Sequence, residues 1–347
     1  MRTAEFGLEY IINQDSDFII WTGDNLDHYI WYQTFENQFF NQRYLKDYIV
    51  NVLNYTKPIY PVLGNHEGVP TDMFNPEINK WVFEVFADIW KDYLTPEAYR
   101  NLTNFGYYHM KHLDTNLRIV GTFSMVYDIQ NWYLLPNHTD PFGELKFLEE
   151  TLEMCEHNNE VVYILGHIPP GDVFTLGEWT IRYRALINRF TNIIRGQFFG
   201  HTHYDEFKNV KSYRKDEISA GTVWAAPSFT TFPRKQPALR VWEVDADTFH
   251  LWDYEQHRSY LDRANLAASR LIERGNYTQE EIKSTGKWEI AYKFLDYYGL
   301  KNMDFEEIAN MINNIKDNSH LAKKVITMMH GEGPDSASRQ DEVFWTY

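Results

Sequence analysis

Four short apolar runs in the sequence each end in a glycine that is followed by a side chain able to bind a metal ion. The segments are Trp21-Thr-Gly-Asp24-Asn25, Leu63-Gly-Asn65-His66-Glu67, Leu165-Gly-His167 and Phe199-Gly-His201-Thr-His203. Carboxylate, amide and imidazole groups supply the oxygen and nitrogen ligands that zinc, manganese and iron accept. Any one of these segments alone is more often a turn, but four of them in one chain favour a metal site.

These side chains need strands to position them, because ligand sites in α/β sheets form beyond the carboxyl ends of the strands. A glycine after a strand lets the backbone turn tightly and bring the next side chain over that edge. Apolar runs predict strands over residues 17–23, 58–64, 117–123, 161–166 and 197–200. Helical spacing of apolar residues predicts helices over residues 31–55, 80–93, 142–157 and 179–193.

The order of these elements predicts the fold class. Strands separated by helices indicate parallel βαβ units, whereas the strand-like runs 223–225, 239–244 and 248–254 follow one another and indicate an antiparallel part. We therefore expect an α/β fold, a layered sandwich with mixed sheets. Apolar residues between 305 and 328 follow helical spacing, so we expect a main domain over residues 1–260 and a C-terminal helical subdomain over residues 261–347.

Composition excludes several classes of protein. The 347 residues include 33 Lys and Arg against 49 Asp and Glu, a net charge of −16, which argues against binding a nucleic-acid polymer. The single cysteine, Cys155, excludes an intrachain disulfide. We expect neither a transmembrane helix nor a signal peptide, so the chain read literally is cytosolic. Glycosylation sequons suit a lumenal protein, although chance explains several; they begin at Asn54, Asn101, Asn137 and Asn276.

The order of the four motifs resembles the calcineurin-like metallophosphoesterase superfamily. Within it, WTGDNLDH, YPVLGNHEGVP, YILGHIPPG and QFFGHTHYDEF are similar to acid sphingomyelinase and the acid sphingomyelinase-like phosphodiesterases. The stretches Asn137-His-Thr-Asp-Pro and Ala226-Pro-Ser-Phe-Thr-Thr add to this resemblance, which runs from about residue 10 to about residue 330. The resemblance implies the αββα sandwich of that superfamily, with residues 1–260 as its catalytic domain.

The resemblance also implies a site with two zinc ions. Asp24 would bridge them, while Asn65, His167 and His201 would complete one metal site and His203 would bind the other ion together with Asp24. Two neighbouring cations generate a hydroxide and hold the phosphoryl oxygens of a substrate.

Two further histidines match the non-ligand histidines of the family. A protonated His66 would stabilise the phosphate, and His28 would protonate the leaving alkoxide. A solvated loop histidine is the alternative interpretation for His28.

The activity implied by the resemblance is hydrolysis of sphingomyelin to ceramide and phosphocholine by attack of a metal-activated hydroxide on phosphorus. Such a protein would be secreted or lysosomal and would make peripheral contact with a membrane. Two alternatives stay open. One is a phosphodiesterase for nucleotides or other soluble phosphoesters, and the other is a catalytically inactive relative that binds a phosphoester or a partner protein. The sequence indicates no oligomeric state.

Two features depart from the family pattern. The family's first metal motif, Asp-x-His, is expected upstream of Asp24, but the 23 preceding residues do not contain it. We therefore expect one complete metal site in an N-terminally truncated chain, with a degenerate protein as the second interpretation. The saposin-like domain and the disulfides of secreted members are also missing, including the bridging cysteines expected near residues 124–128 and 171–174. This leaves soluble phosphodiesters as credible substrates.

Overall fold

The computed structural model of the chain describes residues 2–75, 77–136, 139–215, 217–232 and 235–331. The motif that begins at Asn137 lies partly outside the described residues, as does the end of the expected C-terminal subdomain, residues 332–347.

The described chain alternates helices and strands through its first two thirds. The α-helices are α1 (Arg2–Ile12), α2 (Phe35–Asp47), α3 (Lys80–Trp90), α4 (Pro96–Phe105), α5 (Glu144–His157), α6 (Gly177–Arg189), α7 (Leu261–Arg274), α8 (Gln279–Lys283), α9 (Phe294–Tyr298), α10 (Phe305–Asn314) and α11 (Ser319–Met329). The strands are β1 (Ile19–Trp21), β2 (Ile59–Pro61), β3 (Tyr108–Lys111), β4 (Leu117–Gly121), β5 (Val161–Leu165), β6 (Ile194–Phe199), β7 (Glu206–Val210), β8 (Gly221–Ala225), β9 (Ala238–Val244), β10 (Leu251–Ser259) and β11 (Trp288–Lys293).

The strands form three sheets. The largest has six strands in the order β3-β4-β5-β6-β8-β7, in which β4, β5, β6 and β8 run parallel and the edge strands β3 and β7 are antiparallel to their neighbours. Strands β1 and β2 form a parallel pair, and β11-β10-β9 form an antiparallel sheet. The expected α/β class with mixed sheets is confirmed.

Alternation along β5 shows how the layers are arranged. Val162 and Ile164 point into one hydrophobic core, which they share with the buried faces of α3, α5 and α6. Tyr163 points the opposite way, into a second core between the two larger sheets, where its hydroxyl donates to the Phe249 carbonyl at 2.8 Å. On the far side of the three-stranded sheet, Tyr10 of α1 stacks on Trp288 of β11. The layers are therefore helix, sheet, sheet and helix.

The C-terminal segment is mainly helical, as expected, but it also contributes a strand that the sequence analysis did not predict. Strand β11 pairs antiparallel with β10, so this segment shares a sheet with the preceding one. The division at residue 260 stays a prediction. No helix in the described ranges combines the length and the apolar character needed to cross a membrane.

Candidate metal centre

Four of the predicted site residues lie just beyond the carboxyl ends of parallel strands. Asp24 and Asn65 follow the paired strands β1 and β2, and His167 and His201 follow the neighbouring strands β5 and β6. The turns after these strands bring the four side chains to one end of the sandwich, where ligand sites form in α/β folds.

The donor atoms of these four residues converge on one point. Asn65 Oδ1 lies 2.9 Å from His167 Nε2 and 3.0 Å from His201 Nδ1. The two imidazole nitrogens are 3.3 Å apart, and Asp24 Oδ2 is 3.1 Å from His167 Nε2. A carboxylate oxygen, an amide oxygen and two imidazole nitrogens around one point form a ligand set that suits zinc and related divalent ions.

Neighbouring groups orient two of these donors. His167 Nδ1 lies 2.5 Å from the Thr22 carbonyl oxygen, so Nδ1 carries the proton and Nε2 presents its lone pair to the centre. Asn65 Nδ2 donates to Asp72 Oδ1 at 2.7 Å, which turns Asn65 Oδ1 towards the two histidines. Asp72 was not predicted as part of the site, because no spacing rule connects it to Asn65.

The pKa shifts at this centre favour the ionised form of Asp24 and the neutral form of His201, which are the forms that bind metal ions. Burial disfavours the charged form of Asp24, but the effect of the adjacent His167 is larger than that of burial. The pKa of Asp24 therefore lies well below its usual range. Burial and the neighbouring His167 lower the pKa of His201 to about 3, so this imidazole is neutral. Burial disfavours a charge on His167 as well, but the neighbouring Asp24 carboxylate raises the pKa of His167.

The loops that carry Asp24 and Asn65 pack closely because of two glycines. Gly23 has a φ of +89°, and a Cβ atom there would lie 2.5 Å from the backbone nitrogen of Gly64. A Cβ atom on Gly64 would lie 2.2 Å from Asp24 Oδ1. A larger residue at position 23 would therefore push the two loops apart, and one at position 64 would displace the Asp24 carboxylate.

Glu67 ties the same two loops together. Its buried carboxylate accepts hydrogen bonds from the backbone nitrogens of Asp24 at 3.0 Å, Asn25 at 2.8 Å and Gly64 at 2.6 Å. The sequence motif that contains Glu67 did not predict a role for this residue. The structure shows that it organises the backbone beneath the donor atoms.

His203 is not drawn into the cluster of donors. Among the described residues, Asp24, His167 and His201 form the group of three or more His, Cys, Asp or Glu side chains whose potential ligand atoms all lie within 4.8 Å of one another. His203 Nδ1 donates instead to the Phe232 carbonyl at 2.9 Å, and burial lowers the pKa of His203 to about 4.

His28 and His66 lie beside His203 in the same cleft. The His28 ring centroid is 4.5 Å from that of His66, 5.2 Å from that of His203 and 4.1 Å from that of Phe232. His28 is half-buried against these rings, which differs from the solvated loop histidine considered as its alternative. The structure thus brings both predicted non-ligand histidines next to the donor cluster.

The cleft extends well beyond the donor cluster. It has a volume of about 820 Å³, and its lining includes Asp24, Asn65 and His201 of the donor cluster. Apolar side chains of α10 and α11 and of the residue that follows α10 also line it, namely Ile312, Ile315, Val325 and Met329. One cleft therefore offers both polar and apolar groups.

The fold and the donor cluster define a class of protein. Residues 4–205 match the calcineurin-like phosphoesterases, and the chain belongs to that family.

Within the family, the chain is similar to sphingomyelin phosphodiesterases. It is 28% identical to sphingomyelin phosphodiesterase B of Dictyostelium discoideum, over 98% of this chain and 52% of that protein. It is 32% identical to sphingomyelin phosphodiesterase of Bos taurus, over 82% of this chain and 44% of that protein. It is also 27% identical to cyclic GMP-AMP phosphodiesterase SMPDL3A of Bos taurus, over 85% of this chain and 65% of that protein. The resemblance to acid sphingomyelinase and its relatives is confirmed, and the chain spans about half the length of the first two.

Proposed function

We propose that the chain is a metal-dependent phosphodiesterase, with zinc held by Asp24, Asn65, His167 and His201. The observation that carries this proposal is the convergence of these four donors on one point. A bound divalent ion supplies positive charge for the phosphoryl oxygens and lowers the pKa of a water molecule.

The chain's own histidines act on the substrate in this proposal. His66 Nδ1 lies 3.1 Å from the Asp27 carbonyl oxygen and donates to it, which leaves Nε2 for a phosphate oxygen. His28 donates a proton to the leaving alkoxide. Burial and the neighbouring His66 lower the pKa of His28, so its protonated form is a stronger acid and is populated at acidic pH.

Sphingomyelin is the substrate that we propose first, with ceramide and phosphocholine as products. The names of two relatives support it, as do the apolar side chains that line the cleft together with the site residues, because a lipid phosphodiester joins a charged head to an apolar body. The alternative is a nucleotide or another soluble phosphoester, supported by the relative named for cyclic GMP-AMP.

Peripheral contact with a lipid surface belongs to the same proposal. Ile30 and Gln130 line the cleft, and tryptophans one and two residues further along the chain are exposed, Trp31 by 84% and Trp132 by 71%. Tryptophan favours the interface between lipid and water. Replacing both tryptophans by alanine is expected to reduce sedimentation with phosphatidylcholine–sphingomyelin vesicles, while hydrolysis of a soluble diester is retained. A secreted or lysosomal location and glycosylation stay predictions.

A substrate panel tests the proposed function. The purified chain with added Zn²⁺ is assayed against sphingomyelin in mixed micelles, cyclic GMP-AMP, ATP and bis-nitrophenyl phosphate. Preferential hydrolysis of sphingomyelin would support the first substrate. This activity should be abolished in His201→Ala and retained in the exposed control His157→Ala. Preference for cyclic GMP-AMP or ATP would support the alternative. Metal binding without hydrolysis of any substrate would support the catalytically inactive relative.

A further inference from the structure

A buried carboxylate lies directly behind the loop that carries His201 and His203. Asp205 follows His203 by two residues, and its side chain is 2% exposed. It accepts from Arg240 at 2.5 Å, from Arg258 at 3.4 Å and from the Tyr292 hydroxyl at 2.5 Å. These three partners come from three neighbouring strands, β9, β10 and β11. The side chain of Asp205 therefore connects this loop, residues 200–205 (the histidine loop), to all three strands of the sheet.

The same anchor reaches the last described helix. The backbone nitrogen of Asp205 donates to the Met329 carbonyl oxygen at 3.2 Å. Arg258, which donates to the Asp205 carboxylate, also donates to the Met328 carbonyl oxygen at 2.5 Å. The end of α11 is thus fastened to the histidine loop through both the backbone and the side chain of Asp205.

The histidine loop needs such an anchor because its backbone is strained. His201 has a φ of 66° and His203 a φ of 58°, a left-handed conformation that non-glycine residues adopt only when the surrounding structure holds them. The loop has no regular secondary structure between β6 and β7, so its conformation depends on contacts from outside.

We propose that Asp205 is the positioning residue of the histidine loop, and that the affinity of the centre for metal depends on its bonds to Arg240, Arg258 and Tyr292. This inference rests on the metal centre proposed above. It gives the three-stranded sheet a role at the site although no strand of that sheet carries a proposed ligand. It also makes the C-terminal segment, through β11 and α11, necessary for metal binding.

The experiment compares Asp205→Asn and Tyr292→Phe with a matched control, Tyr163→Phe. The control also removes a buried hydroxyl from the core between the two sheets, but that hydroxyl bonds to Phe249 and not to the histidine loop. Affinity for Co²⁺ is measured by competition with a chromophoric chelator. Hydrogen exchange of peptides covering residues 199–206 and 161–168 is measured in the metal-free proteins.

We expect Asp205→Asn to weaken Co²⁺ binding by at least about tenfold and Tyr292→Phe to weaken it by about three- to tenfold. Exchange should speed up in residues 199–206 in both variants and stay unchanged in residues 161–168. The control should keep its Co²⁺ affinity within about twofold of the parent. Asp205→Asn leaves two buried arginines without their carboxylate and risks misfolding. If Asp205→Asn does misfold, the results for Tyr292→Phe decide whether the proposal holds.

Parent-like Co²⁺ affinity would overturn the dependence of metal binding on Asp205, and parent-like exchange in residues 199–206 would overturn its role in positioning the loop. If the parent itself binds no Co²⁺, the proposed metal centre fails. The exchange rates of the metal-free variants then still decide whether Asp205 holds the loop.

Discussion

The carboxylate of Glu67 accepts a hydrogen bond from the backbone nitrogen of Asp24 at 3.0 Å, across two loops that are distant in sequence. The same carboxylate accepts from Asn25 and Gly64, so one buried side chain fixes the turns after both β1 and β2. The two donors carried by these turns, Asp24 and Asn65, are positioned before any ligand binds. Preorganisation of this kind lets a site bind a metal ion without a large ordering cost.

Replacing Glu67 by glutamine should therefore damage both the fold and the centre. An amide offers one acceptor oxygen where three backbone donors converge, and its NH₂ group faces some of them. We expect a loss of about 1.5–3 kcal/mol in the free energy of unfolding and about a tenfold loss in affinity for Zn²⁺. Urea unfolding and chelator competition measure the two effects, with the exposed Glu149→Gln as control. Parent-like values of both would show that Glu67 does not organise the loops.

His167→Ala and His201→Ala each remove one nitrogen from the donor cluster. Bound zinc, measured by plasma mass spectrometry after gel filtration, should fall to near zero in both variants, and any phosphodiesterase activity should fall with it. The far-UV circular dichroism should remain close to that of the parent, because both side chains lie in turns beyond the strands. The exposed His157→Ala serves as the control. Full zinc content in either variant would contradict the assignment of these ligands.

The role of His28 is separated from metal binding by a leaving-group comparison. If His28 is the general acid, His28→Ala should slow hydrolysis of sphingomyelin, whose leaving alkoxide needs a proton, by about 10²- to 10⁴-fold. Bis-nitrophenyl phosphate should be hydrolysed at nearly the parent rate, because nitrophenolate leaves without a proton. Zinc content should not change. Equal slowing of both substrates would assign His28 to positioning of the phosphate.

Asp128 predicts how stability depends on pH. Burial raises the pKa of this carboxyl to about 7, and its Oδ2 atom has no hydrogen-bond partner in the described part of the chain. The folded protein therefore keeps this proton where the unfolded chain, with a pKa of about 4, has lost it. The contribution of Asp128 to stability is greatest below pH 4 and is lost as the pH rises towards 7.

Asp128→Asn should remove this loss. From pH 5 to pH 8 the parent should lose about 2–3 kcal/mol of stability relative to the variant. Urea unfolding at the two pH values measures the difference. Identical pH profiles for parent and variant would mean that Asp128 is ionised in the folded protein.

The donor cluster was predictable from sequence because its signal is local. A strand, a glycine and a ligand lie within a few residues of one another, and the parallel sheet brings the strand ends together. The partners of Asp205 were not predictable, because Arg240 and Arg258 lie 35 and 53 residues further along the chain and meet it only through sheet packing.

Among the secondary-structure elements, the prediction missed the helices α1 and α4 and the strands β3, β7 and β11. Strand β11 is an edge strand with one buried side chain among its six residues, so it lacks the apolar run that marked the other strands. The helix expected over residues 31–55 is shorter, since α2 spans Phe35–Asp47 and continues as a π-helical turn, Tyr48–Val52. The regions near which the family resemblance implies bridging cysteines are joined by backbone hydrogen bonds, from Ile129 to Phe174 at 2.8 Å and from Leu176 to Tyr127 at 2.7 Å.

Anomalous diffraction at the zinc absorption edge, from crystals of the chain grown with Zn²⁺, tests the proposed metal centre most directly. Asp24, Asn65, His167 and His201 form a complete ligand set, whereas His203 lies outside the cluster. The account therefore predicts one strong peak per chain, about 2.0–2.2 Å from a donor atom of each of these four residues. Two results would contradict the proposed metal centre. One is zinc bound elsewhere on the chain with no peak between these residues, and the other is two peaks of equal strength in the cleft.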